Sequence, residues 1–220
     1  MSAAFDMKTL SLEFSSDRRS VAVCSESRVL GQASAMGLQG RDSFQLVRES
    51  LESAGVNRDQ IHRLVVGLGP GSYVGTRMAV AIAIGWRTVR AVAICGFRST
   101  DAMAAQAGKD GRHGIVTIAV DARKDEVCLA RYRLGSGQWE LLEPLKLQPR
   151  SELLRREKAG DCLLGPNIFP ELTQFQQIFP EAARLGEIAV QYPERCIEPM
   201  APIYLRPLNL VKAAPPRFTA

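Results

Sequence analysis

Short apolar runs bounded by polar turns recur along the chain, and runs of this kind predict β-strands. The first three runs are separated by turns of a few residues, which predicts a three-stranded antiparallel meander. A second set of three runs begins near residue 114 and predicts another meander. The predicted strands are residues 8–14, 19–24, 29–35, 64–68, 91–95, 114–120, 126–134, 139–147 and 162–164.

Between these strands, apolar residues recur at the spacing of an α-helix. The first helical segment has Asp42 or Ser43 as a candidate N-cap and Gly55 as a stop signal. Residues 74–90 alternate large and small side chains as a strand would, but their length and alanine content favour a buried helix. The predicted helices are residues 42–54, 74–90, 99–107 and 151–158, with weaker patterns over 172–179 and 181–192.

The order of meander and helix occurs twice, which indicates a duplicated fold. The first strand of each unit ends at an acidic residue, Glu13 in one and Asp121 in the other. We predict an α/β protein with the duplicated ribonuclease-H-like architecture of actin, Hsp70 and the sugar kinases (the ASKHA class). The predicted lobes are residues 1–98 and 99–198, followed by a proline-rich tail, 199–220, whose last residues we expect to be disordered or held by a partner.

Composition adds little beyond a soluble globular class. Hydrophobic residues make up 46% of the 220 residues, and the net charge of +5 permits contact with RNA without requiring it. The start of the chain has no secretory signal pattern, and its apolar segments are too short to cross a bilayer. We therefore expect a cytoplasmic protein without a membrane partner.

The five cysteines are far apart and form no CxxC pair. An odd number at such spacing favours structural thiols in a reducing compartment over a disulfide framework. The cysteines are Cys24, Cys95, Cys128, Cys162 and Cys196.

A glycine-rich loop joins the strand 64–68 to the helix 74–90. Such a loop can present helix N–H groups to a phosphate or carboxylate, or it can simply fix the angle between strand and helix. The sequence fits no Walker A, Rossmann or serine-elbow register, so a structural turn is favoured while anion contact stays open. The loop residues are Gly67, Gly69, Pro70, Gly71, Ser72, Tyr73, Gly75 and Arg77.

Other chemical signals are sparse. His62 and His113 are isolated, so no metal-binding pair is predicted. The turns after Glu13 and Asp121 lack the glycines with which phosphotransferases of this fold reach ATP, so tight nucleotide binding by the chain alone is not expected. On the helix 74–90, a small-residue face could allow another backbone to approach closely. It consists of Ala81, Gly85 and Thr88.

Three landmarks resemble the TsaB (YeaZ) family. Residues 65–86, VVGLGPGSYVGTRMAVAIAIGW, resemble its strand–loop–helix signature, commonly G-x-GPGSFTGLR. Residues 121–127, DARKDEV, are similar to its DAR-centred hairpin through Asp121 and Arg123, and residues 202–206, PIYLR, to its P-x-YLR element.

The chain departs from the family pattern at three places. Glu13 is the acid at the end of strand one, where the family usually has the aspartate of a DTS-like stretch. The first helix opens with residues 41–43, RDS, in place of His-Ser-Glu. Val74 and Thr76 replace the usual threonine and leucine of the signature. The chain is thus identified as a divergent member.

The resemblance implies a subunit without catalytic residues or a metal site. It would support TsaD and the ATPase TsaE in transferring a threonylcarbamoyl group to N6 of adenosine 37 in ANN-decoding tRNAs. The helices 42–54 and 74–90 would pack against TsaD or a second copy, ATP or ADP would bind only at that interface, and tRNA would be reached through the complex.

Two alternatives remain. The first is a degenerate phosphotransferase or glycopeptidase-like enzyme of this fold, with Glu13 and Asp121 carrying metal binding or proton transfer. The second is a paralogue that retains only homodimerisation.

Overall fold

The computed structural model describes residues 7–26, 28–37, 43–135, 138–198 and 200–206. Its strands are β1 Lys8–Glu13, β2 Arg18–Ser25, β3 Arg28–Met36, β4 Arg63–Gly67, β5 Ala93–Phe97, β6 Gly114–Arg123, β7 Glu126–Gly135, β8 Gln138–Pro149, β9 Cys162–Gly165 and β10 Gln176–Gln177. Its α-helices are α1 Ser43–Ala54, α2 Tyr73–Val89, α3 Ser99–Lys109, α4 Ser151–Lys158 and α5 Ala182–Gln191.

The two sheets repeat one topology. The first has the strand order β3-β2-β1-β4-β5, and the second has the matching order β8-β7-β6-β9-β10. In each sheet the first three strands form an antiparallel meander, and the last two pair in parallel beside its first strand. The predicted duplicated two-lobe fold is confirmed.

Helices and sheets alternate in layers. The first sheet packs on its outer face against α1 and α2, and the second packs on its outer face against α4. Between the sheets lie α3, which contacts β6, β7 and β8, and α5, which contacts β1, β2 and β4. Helix α3, which follows the last strand of the first sheet, thus packs on the second sheet. Helix α5, which follows the last strand of the second sheet, packs on the first. The lobe boundary near residue 98 stays a prediction.

Helix α1 begins at Ser43, and the alternative N-cap, Asp42, lies outside the described residues. The helix ends before Gly55, whose φ of +63° is a conformation that glycine adopts without strain. Strand β5 lies two residues later than predicted, because Ala93 rather than Ala91 pairs with the first residue of β4. The last residues of the predicted tail, 207–220, also lie outside the described part of the chain.

The weak helix predicted over residues 172–179 is wrong. The rings of Phe169 and Phe175 pack edge to face there, with 5.0 Å between their centroids. Residues Gln176–Gln177 form β10 beside β9. The carboxylate of Glu157 accepts the backbone N–H groups of Thr173 and Gln174, at 2.6 and 2.7 Å. These contacts give the segment an alternative to helical hydrogen bonding.

The expectation that no cysteines pair is also wrong. Cys95 on β5 and Cys196 near the end of the described chain form a disulfide, with 5.5 Å between their Cα atoms. Their spacing of 101 residues gave no signal in the sequence. Cys24, Cys128 and Cys162 are free thiols. In the described ranges, no helix has both the length and the apolar character needed to cross a membrane.

Candidate functional site

The acid that ends β1 is a structural residue. Glu13 is fully buried, and its carboxylate accepts the backbone N–H of Ser15 and the hydroxyl of Ser99, each at 2.8 Å. Burial is the main cause that raises the pKa of Glu13, while the hydrogen bonds oppose the shift. Ser99 also accepts the N–H of Gly69 at 3.1 Å, so it joins the β1 acid to the glycine loop. No motif in the sequence singles out Ser99 for this role.

Three glycines of the loop make room for the turn between β1 and β2. A Cβ atom on Gly67 would lie 1.9 Å from Oε2 of Glu13. One on Gly71 would lie 2.0 Å from the carbonyl oxygen of Ser15, and one on Gly75 would lie 1.9 Å from the carbonyl oxygen of Phe14. Real Cβ atoms do not approach this closely, so Gly71 and Gly75 require glycine as long as the backbone stays in place, whereas a side chain at position 67 would require the Glu13 side chain to move.

Several of the N–H groups that could cradle a phosphate are already engaged. That of Ser72 donates to the Ser15 carbonyl at 2.6 Å, and that of Gly75 donates to Oγ of Ser72 at 3.1 Å. Thr76 N–H donates to the Ser72 carbonyl at 3.0 Å, and Gly69 N–H is bound by Ser99. Pro70, joined to Gly69 by a cis peptide bond, has no N–H. These contacts favour the structural-turn reading of the loop.

The three landmarks of the sequence meet at a cleft of about 560 Å³ between the lobes. At one wall, Tyr73 of α2 stacks on Tyr204 with 5.5 Å between ring centroids, and the guanidinium of Arg77 lies 4.6 Å above the Tyr73 ring. At the other, Arg206 donates to the carbonyl oxygens of Ala122 and Arg123, at 3.3 and 3.2 Å. Residues far apart in the chain therefore form one surface.

The β6–β7 hairpin supplies Asp121, which lines the cleft together with Asp17 of the β1–β2 turn. Asp121 accepts the N–H of Arg123 at 3.0 Å, and its own N–H donates to Oδ1 of Asn167 at 2.9 Å. Arg123 and the two residues after it have φ values of 64°, 54° and 55°, a conformation that costs non-glycine residues energy. Nε of Arg206 donates to the Glu126 carboxylate at 3.1 Å and so fastens the base of this hairpin. No motif in the sequence marks Asn167.

The predicted small-residue face of α2 points outward. Ala81, Gly85 and Thr88 are exposed, and a Cβ atom on Gly85 would meet open space. The opposite face packs on the first sheet, with residues including Ala79 and Ala83 fully buried.

Around the outward face runs an apolar groove of about 460 Å³ between α1 and α2. Its walls include Phe44, 65% exposed, and Val89, 84% exposed. Exposed apolar surface of this kind marks interaction sites in soluble proteins. In the described ranges, no three His, Cys, Asp or Glu side chains lie close enough together to hold a metal.

The model of a protein family described as TsaD, tRNA N6-adenosine threonylcarbamoyltransferase, matches residues 43–154, which is half of the chain. The chain belongs to this family. Within the family it is a TsaB-type member, as the resemblance predicted.

The curated relatives agree with this placement. The chain is 33% identical over 95 residues to the tRNA threonylcarbamoyladenosine biosynthesis protein TsaB of Escherichia coli K12, a match that covers 43% of this chain and 41% of that protein. It is 25% identical over 152 residues to the protein of the same name in Bacillus subtilis 168, covering 67% and 65%. The chain thus spans less than two thirds of either TsaB relative.

A solved structure supports the fold of this TsaB-type chain. YeaZ from Pseudomonas aeruginosa aligns with a TM-score of 0.74 and 24% identity, covering 90% of this chain and all of that one.

Proposed function

We propose that the chain is a non-catalytic subunit supporting threonylcarbamoyl transfer to N6 of adenosine 37 in ANN-decoding tRNAs, together with TsaD and TsaE. Membership of the TsaD family and the names of the two TsaB relatives support the pathway. The observation that carries the subunit role is the exposed apolar face of α1 and α2, because a large apolar groove on a soluble chain needs a partner.

The charge around this face favours a partner with acidic groups over a second copy. Arg58 and Arg90 line the groove, and Arg87 is exposed on α2. A symmetric dimer through this face would bring the same basic rims together, whereas a partner with acidic groups would complement them. In this assembly, tRNA is contacted through the complex.

The buried position of Glu13 argues against the enzyme alternative. A phosphotransferase or glycopeptidase of this fold would need that acid at the cleft, but its carboxylate is engaged by Ser15 and Ser99 inside the core. Asp121 lines the cleft without it. We propose that ATP or ADP, where bound, is held only at the partner interface.

Calorimetry with Mg-ATP tests this part of the proposal. The isolated chain should give no saturable heat, because the loop N–H groups of Gly69, Ser72, Gly75 and Thr76 are already bound within the protein. Tight binding by the isolated chain would instead favour the phosphotransferase.

A binding experiment with TsaD of the same organism tests the subunit role. Gly85→Leu places a bulky side chain on the exposed face and should weaken the complex by about 100-fold or more without lowering the melting temperature. Gly108→Leu is the matched control, since Gly108 is a helical glycine of α3 that also faces open space. It should bind as the parent chain does.

Two outcomes would contradict the subunit role. One is a folded chain that forms no complex with TsaD, and the other is full affinity in Gly85→Leu. A chain that only dimerises, in a manner that Gly85→Leu abolishes, would identify the paralogue alternative.

A further inference from the structure

The end of the described chain forms an arm that reaches the cleft. We call residues 196–198 and 200–206 the C-terminal arm. Its Ile197 N–H donates to the Gly96 carbonyl at the edge strand β5, at 2.8 Å, and its Ile203 N–H donates to the Leu68 carbonyl at 2.8 Å. Beyond these bonds, Tyr204 and Arg206 line the cleft. The position of the arm therefore determines where Tyr204, the partner of Tyr73, and the cation Arg206 lie in the cleft.

A cysteine pair lies at the root of this arm. Cys196 starts the arm and Cys95 lies on β5, with a Cα–Cα distance of 5.5 Å. This distance falls inside the range of about 4.4–6.8 Å that disulfides span. Both residues are only half-buried, so a small oxidant can reach them.

The other thiols are poorer sites for oxidation. Cys24 and Cys128 are buried, and desolvation raises the pKa of each thiol to about 11. Because the thiolate is the reacting form, these two cysteines are inert near neutral pH. Cys162 is half-buried but is a free thiol, so it has no second cysteine with which to close a disulfide inside the chain. The geometry therefore singles out one pair.

We propose that Cys95 and Cys196 are a reversible oxidation site whose disulfide fastens the C-terminal arm, and with it Tyr204 and Arg206, in the cleft. The oxidant is a small-molecule disulfide such as glutathione disulfide. One cysteine thiolate attacks it and releases one glutathione thiolate, and the second cysteine thiolate then displaces the other glutathione. The pair loses two electrons and two protons, and two reduced glutathione molecules form. The proposal goes beyond the role in tRNA modification and does not depend on it.

The physical effect follows from the length of chain between the two cysteines. They are 101 residues apart, so the disulfide closes a long loop. In the reduced chain, the arm is held by the two backbone bonds at Ile197 and Ile203 and by partly buried side chains that pack on the core along its length. Segments near the end of a chain with so few backbone hydrogen bonds open locally at lower cost than the core. The disulfide prevents the local unfolding that would separate Cys196, the first residue of the arm, from β5.

Hydrogen exchange on the full chain tests the proposal. The chain is incubated with glutathione disulfide or with a phosphine reductant, and the exchange of the Ile197 and Ile203 amides is compared. Both amides should exchange about tenfold or more slower after oxidation, whereas amides of β7 should not change. Peptide mapping without reduction should recover a peptide linking Cys95 to Cys196.

Three variants complete the design. Cys196→Ala and Cys95→Ala should each abolish the difference between oxidised and reduced samples, and Cys162→Ser should retain it. Failure of glutathione disulfide to form the Cys95–Cys196 link would overturn the proposal, as would equal exchange of Ile203 in both states of the parent chain. The parent-chain comparison decides the matter even if a variant does not fold.

Discussion

The two lobes share one sheet topology but differ in the link between their last two strands. In the first lobe, β4 leads through the glycine loop and α2 to β5. In the second, β9 reaches β10 through residues 166–175, which contain no helix. The acids of the two first strands also differ. Glu13, the last residue of β1, is fully buried beneath the loop, whereas Asp121, which lies within the longer strand β6, lines the cleft. The comparison teaches that an acid near the end of the first strand belongs to the core where a loop covers it and to the cleft where none does.

Replacing one glycine that touches the β1–β2 turn should have the largest effect. In a helix, Gly→Ala normally stabilises by about 1 kcal/mol. Gly75→Ala should instead lower the free energy of unfolding by about 3 kcal/mol, because the new Cβ would lie 1.9 Å from the Phe14 carbonyl oxygen. Urea denaturation measures the change. Gly85→Ala, on the open face of the same helix, is the control and should be neutral or stabilising. Equal effects would mean that the loop is not tightly packed on the turn.

Truncating Glu13 and Asp121 compares the lobes directly. Glu13→Ala should cost about 2 kcal/mol, because it leaves a void and removes the acceptor of the buried Ser15 N–H and Ser99 hydroxyl. Asp121→Ala should cost less than about 1 kcal/mol, since its side chain is partly exposed. Both are measured by chemical denaturation. A larger loss at Asp121 would reverse the assignment of core and cleft acids.

The pH dependence of stability should report the buried acid. Burial raises the pKa of Glu13 above its ordinary value of 4.5, so the folded chain holds this proton more tightly than the unfolded chain. That contribution is fully present below pH 4.5 and is lost as the pH rises through the folded-state pKa. Glu13→Gln cannot ionise and should flatten this decline in urea titrations between pH 4.5 and neutral.

Part of the slope should remain in Glu13→Gln. Asp101 is also buried, and desolvation raises its pKa in the same direction. An unchanged slope in Glu13→Gln would show that Glu13 is not protonated preferentially in the fold.

The smallest effect is expected at the arm's contact with the second lobe. Arg206 and Glu126 form a partly exposed ion pair, and such pairs contribute at most about 1 kcal/mol. A double-mutant cycle with Arg206→Ala and Glu126→Ala should give a coupling free energy of about 0.5 kcal/mol by denaturation. A coupling near zero would indicate that the hairpin is held by its own turn alone.

Much of the fold could be predicted because the strands and helices carry strong local patterns. Residues 151–158 form α4 with the predicted bounds, and the two meanders follow their apolar runs. What failed depended on contacts between distant segments. Glu157 accepts the backbone N–H groups of Thr173 and Gln174, and no local pattern in the sequence predicts these bonds. The same is true of the disulfide between Cys95 and Cys196.

The candidate site divides in the same way. The spacing of the glycines at positions 67 to 75 predicts the loop between strand and helix. The turns after Glu13 and Asp121 have no glycine, which argues against a phosphate-binding turn there. The glycines are needed because the carbonyl groups of Phe14 and Ser15 lie against them. These carbonyls belong to a distant part of the sequence, so the contact is seen only in the folded structure. The same holds for Ser99, which joins the buried acid to the loop.

The most direct test of the proposed function is the content of threonylcarbamoyladenosine at position 37 of ANN-decoding tRNAs after the chain is depleted in its own organism. Mass spectrometry of tRNA nucleosides should show that the modification falls, that the parent chain restores it, and that Gly85→Leu does not. A depleted strain whose modification level stays unchanged would contradict the account.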